Sequence, residues 1–132
     1  MTTETVSVTG AAGFIGRWVV HELLDRGYYV RGMDNLSKGS KENIAEFMDH
    51  DRFEFTVGDV TTEDDVADLI TADTTACFHL AAEIDVQESL EDPVAHFDAN
   101  IIGTKNILEA CRQTETMLGL VGTCMVYDMA DS

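Results

Sequence analysis

The 132-residue chain is long enough for one domain, and a domain of that size buries roughly two thirds of the surface that its unfolded chain exposes. Hydrophobic residues make up 45% and proline occurs once, which excludes a disordered tail and describes a chain able to build its own core. Against 25 Asp and Glu stand 8 Lys and Arg, a formal net charge of -17 that repels phosphate backbones and disfavours nucleic acid and anionic membranes as partners.

That surplus also destabilises the compact state by self-repulsion unless high ionic strength screens it. Two readings of the acidity stand side by side: a salt-adapted, halophilic host, and an ordinary acidic protein of the cytoplasm. Cys77, Cys111 and Cys124 are odd in number, far apart and form no C-x-x-C pair, so they read as reduced, mostly buried thiols. Neither a metal-ligand spacing around His21, His50, His79 and His96 nor a basic leader nor an apolar run of about 18 residues is present. A cytoplasmic location without bound metal is the expectation.

In chain order, Thr5 to Thr9 is a short β-type run that stops at Gly10. From Gly13 to Arg26, Ile15, Trp18, Val19 and Leu23 suggest one helical face, with Gly27 as the stop signal. Tyr28 to Met33 reads as a second strand, closed by Asp34-Asn35, and Ile44, Phe47 and Met48 suggest a short helix capped by Ser40. Arg52 to Val57 is a third strand ending at Gly58-Asp59. Thr62 then reads as the cap of a helix whose first turn carries Glu63, Asp64 and Asp65, where the helix dipole favours negative charge.

Thr75 to Leu80 is a fourth strand. Asp92-Pro93 opens the longest helix, with Val94, Phe97, Ile101, Leu108 and Cys111 in period to about Arg112, and Met117 to Cys124 is a fifth strand. Short apolar strands alternating with helices predict an α/β fold, a doubly wound parallel sheet of about five strands in the order 3-2-1-4-5.

Thr9-Gly10-Ala11-Ala12-Gly13-Phe14-Ile15-Gly16 places three glycines between the first strand and the first helix. Gly10 permits a tight turn, Gly13 lets the backbone approach a pyrophosphate, and Gly16 lets helix and strand pack closely. Asp34 ends the second strand 18 positions after Gly16, where a ribose diol needs acceptors. Its charge would repel the 2'-phosphate of NADP, which favours NAD, although Lys38 and Lys41 follow and would soften that repulsion.

This loop, together with Asp34-Asn35-Leu36-Ser37, Gly58-Asp59-Val60, His79-Leu80-Ala81-Ala82 and Asn100 to Asn106, resembles the extended short-chain dehydrogenase/reductase superfamily and, more narrowly, the NAD-dependent epimerase/dehydratase family. The resemblance runs over nearly the whole chain and implies a Rossmann-type, NAD-binding domain over residues 1–132. It further implies that Phe14 and Ile15 lie over the pyrophosphate, that Asp34 binds the adenosine ribose, that Asp59 and Val60 flank the adenine, and that Asn35 is among the cofactor-binding residues. Ala81, Ala82 and Glu83 would line the path to the nicotinamide, and Asn100 would brace the sheet beside it. Thr123 matches the Ser/Thr that hydrogen-bonds the reacting sugar hydroxyl.

Each residue also has a plainer reading. Ala81 and Ala82 serve as small packing residues, Asn100 as one more polar helix residue, Asp59 as a turn residue, and His79 as a satisfied core histidine.

The family's hydride chemistry uses a Tyr-x-x-x-Lys pair. Tyr28, Tyr29 and Tyr127 are the tyrosines here, and none has lysine four residues on. The expectation is therefore a domain cut short before the later strands and the substrate domain. Two functions follow: the NAD-binding portion of a nucleotide-sugar epimerase/dehydratase, or a non-catalytic dinucleotide-binding or scaffold module acting with a partner chain. An apolar fifth strand at a sheet edge makes self-association the expectation, and the resemblance implies a helical dimer interface at the long helix from Pro93, so a homodimer is the expected assembly.

Overall fold

The computed structural model describes residues 4–82 and 90–121. Strand β1 (Thr5–Thr9) leads into helix α1 (Phe14–Asp25), β2 (Tyr29–Asp34), a 3-10 segment (Lys41–Phe47), β3 (Phe53–Val57), α2 (Glu63–Leu69) and β4 (Thr74–His79). Helix α3 (Pro93–Phe97) runs through a π-helical segment (Asp98–Ile102) into α4 (Gly103–Thr114), and β5 (Met117–Leu120) follows. The five strands form one parallel sheet in the order β3-β2-β1-β4-β5, the order expected from the sequence.

Period-2 alternation sends successive β1 side chains to opposite faces. Val6 and Val8 join Val20, Leu23, Leu24, Val30, Ile44, Phe47 and Phe53 in a core under α1 and the 3-10 segment. On the other face, Met33, Val66, Leu69, Cys77, Ile107 and Cys111 form a second core under α2 and α4. Each fully buried Val or Leu removes enough apolar surface from water to stabilise the fold by about 1.5–3 kcal/mol before entropy is counted. Two hydroxyls are buried and bonded: that of Ser7 donates to the Leu69 carbonyl at 2.7 Å and that of Thr116 to the Thr74 carbonyl at 3.2 Å.

The helix ends explain where the chain reverses. Gly27 takes φ +91, and the amides of Gly27 and Tyr28 return to the carbonyls of Leu24 and Leu23, a Schellman close that needs the left-handed conformation. Asp92 caps α3 through the Ala95 amide at 3.1 Å, with Pro93 first in the helix. Ser40 accepts the Glu42 amide at 3.2 Å, but what it caps is a 3-10 segment. Thr62 stands at the start of α2 without a side-chain cap bond.

Two helical faces differ from the sequence pattern. On α1 the buried set is Gly16, Val20, Leu23 and Leu24, whereas Ile15 and Trp18 are 58% and 51% exposed. On the long helix the core face is Gly103, Asn106, Ile107 and Cys111. Val94, Phe97, Ile101 and Leu108 point outward. Both helices carry apolar residues on more than one face, so periodicity alone does not choose which face meets the sheet. Among the described residues no helix is long and apolar enough to cross a membrane. Gly122 to Cys124 of the expected fifth strand lie outside the described residues.

Candidate functional site

Parallel pairing aligns the C-terminal ends of the strands. Thr9 stands opposite Met33 and His79, and Asp34 opposite Val57. The loops that carry the sequence motifs therefore leave one edge of the sheet together. Between β1 and β4 the chain departs towards opposite faces, the switch point at which open α/β sheets offer a crevice.

The three glycines of the first loop have different physical reasons. Gly10 has φ +69, and a Cβ there would stand 2.9 Å from the Ala81 amide nitrogen. At Gly16 a Cβ would overlap the Gly10 carbonyl oxygen, so this glycine lets α1 dock on the turn itself. Gly13 has an ordinary φ of -82, and a Cβ would meet only the Gly10 carbonyl oxygen, at 3.3 Å. The space outward of Gly13 is open. Phe14 and Ile15 are exposed beside it, and the first amides of α1 have no carbonyl one turn back to bond.

Asp34 is 8% exposed, and both its carboxylate oxygens are in use. Oδ2 accepts the Ala12 amide at 3.0 Å and Oδ1 the Leu36 amide at 2.8 Å. Each oxygen keeps one further acceptor site, since a carboxylate offers about four in all. The turn is braced from the other side as well: the Ser40 amide (3.1 Å) and the Asn43 side-chain amide (2.8 Å) both donate to the Ala12 carbonyl. The sequence alone assigned Asn43 no role.

Asp59 is a turn residue with a charge. Its carboxylate accepts the Thr61 amide at 2.9 Å and the Thr61 hydroxyl at 2.8 Å, while its own amide donates to Asp65 Oδ2 at 3.0 Å. Partial burial works to raise the Asp59 carboxyl, but the bonds from Thr61 and from the Asn35 side chain outweigh it and hold it below the usual carboxylate range. Asn35 itself is exposed, and its Oδ1 accepts the Ser37 amide. Val60 is buried against α4: a Cβ at Gly103 would overlap Val60 Cγ2, and the Asn106 side chain donates to the Val60 carbonyl at 3.0 Å. Gly103 and Asn106 lie inside the last of the sequence motifs, and a glycine within a helix is itself a signal of close packing.

At the end of β4, His79 is bonded at both ring nitrogens, to Thr9 Oγ1 at 2.7 Å and to Thr104 Oγ1 at 3.0 Å. It is a satisfied histidine, and burial lowers its pKa from the ordinary value. Ala81 is half-buried with its backbone against Gly10, Ala82 is exposed, and Asn100 sits half-buried on the π-helical segment before α4. Glu83 and Thr123 lie outside the described residues. The structure thus brings the Gly10–Gly16 loop, Asp34, Asn35, Asp59, Val60, Ala81 and Ala82 to one edge of the sheet, with Asn100 on the helical segment that precedes α4.

The sequence of residues 6–132 matches the model of the NAD dependent epimerase/dehydratase family. A UDP-glucose 4-epimerase of Mycolicibacterium smegmatis is 42% identical over 105 residues, which is 80% of this chain and 34% of that protein. A dTDP-glucose 4,6-dehydratase of the same organism is 40% identical over 123 residues, 91% of this chain and 36% of that protein. The crystal structure of a Thermus thermophilus UDP-glucose 4-epimerase in complex with NAD superposes with a TM-score of 0.75 at 39% identity, covering 85% of this chain and 35% of that one. The chain spans about a third of the length of these relatives. Family model, identity and fold agree: the chain belongs to the NAD-dependent epimerase/dehydratase family.

Proposed function

We propose that this chain holds NAD across the ends of β1 and β4, as the dinucleotide-binding portion of a nucleotide-sugar epimerase or dehydratase. The observation that carries the reading is the Gly13 opening beside the Asp34 carboxylate, which keeps one acceptor site on each oxygen. Gly13 leaves room for a pyrophosphate at the amides of α1, with Gly10, Gly16, Phe14 and Ile15 shaping the approach. Asp34 receives the adenosine ribose diol and, by its charge, favours NAD over NADP. Asn35, Asp59 and Val60 border the adenine, Ala81, Ala82 and Glu83 the path to the nicotinamide, and Asn100 supports that end.

When bound, NAD supplies reversible hydride acceptance from a sugar carbon. Thr123 is proposed to hydrogen-bond the reacting hydroxyl. A Tyr-x-x-x-Lys pair does not occur in these 132 residues, so residues 1–132 by themselves are proposed to bind the cofactor as one unit and not to turn substrate over.

The assembly proposed is a homodimer, supported by the outward apolar row Leu90, Val94, Phe97, Ile101 and Leu108. A monomer in sedimentation at moderate salt would overturn it. A cytoplasmic location fits the buried, unpaired thiols of Cys77 and Cys111.

Calorimetry with NAD, at low and at molar salt, tests the cofactor site on the natural chain and on Gly13→Val. Gly13 has an extended backbone, φ -82 and ψ 176, that valine also adopts, so the variant is expected to fold, as circular dichroism would report, and to lose NAD. A requirement for molar salt would support a salt-adapted host. No binding at any salt by the folded natural chain would overturn the cofactor reading.

A further inference from the structure

Thr9 closes β1 and His79 closes β4, side by side in register. Three groups surround Thr9 Oγ1: the Leu80 amide at 3.0 Å, the Ala81 amide at 3.1 Å and His79 Nδ1 at 2.7 Å. A hydroxyl has one proton and two lone pairs. Backbone amides only donate, so Leu80, whose amide is shared with the Thr9 carbonyl at 3.3 Å, and Ala81 take both lone pairs. The one hydroxyl proton is left for His79, and Nδ1 must accept it.

A ring that accepts at Nδ1 and stays neutral carries its proton on Nε2, which donates to Thr104 Oγ1. The opposite tautomer would aim three donors at one oxygen and strand the hydroxyl proton in a buried site. His79 is 4% exposed, and its burial favours the neutral ring.

We infer that His79 is a positioning residue of the dinucleotide site, held as the neutral Nε2–H tautomer, and that its accepting nitrogen turns the Thr9 hydroxyl so that the Leu80–Ala81 turn is held against Gly10. The inference rests on the reading of this edge as the NAD site. The Ala81 amide nitrogen would be 2.9 Å from a Cβ on Gly10, so the β4 turn and the glycine turn share one contact surface. At the ring's other end, Thr104 opens α4 next to Gly103, which packs on Val60. One imidazole therefore ties the loops after β1 and β4 to the start of α4.

Long-range nitrogen–proton NMR of the natural chain reads the tautomer directly, and the expected spectrum is that of Nε2–H, unchanged through neutral pH. An Nδ1–H ring or an imidazolium would overturn the inference. His79→Asn keeps an acceptor near the Nδ1 position, whereas His79→Leu removes it. The leucine variant is expected to weaken NAD binding about tenfold and to speed hydrogen exchange at the Ala81 amide, and the asparagine variant to retain most of both. A purely packing role would impair the two variants alike and refute the positioning role.

Should His79→Leu fail to fold, Thr9→Val against Thr9→Ser asks the same question from the other partner, with the same readouts. If the natural chain binds no NAD, the site reading fails, while the tautomer and the Ala81 exchange still decide this inference.

Discussion

The Asp34 carboxylate accepts the Ala12 amide at 3.0 Å and so ties the end of β2 to the turn that follows β1. A residue that sequence spacing marks as a ligand acceptor is thus also part of the scaffold. Asp34→Ala strips the Ala12 and Leu36 amides of their acceptor and is expected to lower stability by about 2 kcal/mol, the scale of a charge-assisted bond. Asp34→Asn, which keeps one oxygen, should lose about half of that. Urea denaturation of both variants checks the order; equal stability of Asp34→Ala and the natural chain would refute it.

The glycine loop separates by position. Gly16→Ala puts a methyl into the Gly10 carbonyl oxygen and is expected to cost about 1–3 kcal/mol as overpacking, despite alanine's better helix propensity. Gly13→Ala meets one atom at 3.3 Å and should shift the melting temperature little while weakening NAD binding. Thermal melts beside calorimetry distinguish the two; a stable Gly16→Ala would contradict the close approach.

Gly103 and Val60 make a second such contact across α4. Alanine in place of a helical glycine gains about 1 kcal/mol of propensity, but here the methyl overlaps Val60 Cγ2, so Gly103→Ala is expected to destabilise. In a Val60→Ala background the same change should stabilise. A double-mutant cycle by denaturation measures this reversal of sign, and additivity of the two substitutions would exclude the contact.

His79 predicts a pH dependence. Burial lowers its folded-state pKa below the unfolded value of about 6.5, so the unfolded chain takes up the proton first. Its contribution to stability is whole above about pH 6.5 and is lost as pH falls from there towards the folded pKa. The unfolding free energy of the natural chain minus that of His79→Asn should therefore fall as pH drops through that window. A constant difference would mean that the ring does not titrate on unfolding in that range.

Much of this molecule is legible from residue order because the signals are local. β1 and β4 are short runs rich in β-branched residues between turn signals, Gly27 follows the last turn of α1 in the left-handed conformation, and Asp92-Pro93 starts α3 as cap and first residue. Parallel pairing of strands joined by helices then leaves few topologies, and β3-β2-β1-β4-β5 is the one adopted. Spacing alone also singled out Gly10, Gly13, Gly16 and Asp34 for one edge of the sheet, where they stand.

What the sequence by itself determined was therefore the alternation of elements and the loop that carries the glycines, since each depends on contacts between near neighbours or on the period of a strand or helix, while the sheet order followed from the few topologies open to parallel strands joined by helices. Only the tertiary structure decided which faces of α1 and α4 are buried, because apolar residues lie on several sides of both helices. It also decided that Asp59 is held by Thr61 and Asn35, that Gly103 yields space to Val60, and that Thr9, His79 and Thr104 form one chain of hydrogen bonds. Thr9 and His79 are 70 positions apart along the chain, and only the parallel pairing of β1 with β4 brings a hydroxyl and an imidazole to the distance at which each fixes the other's proton.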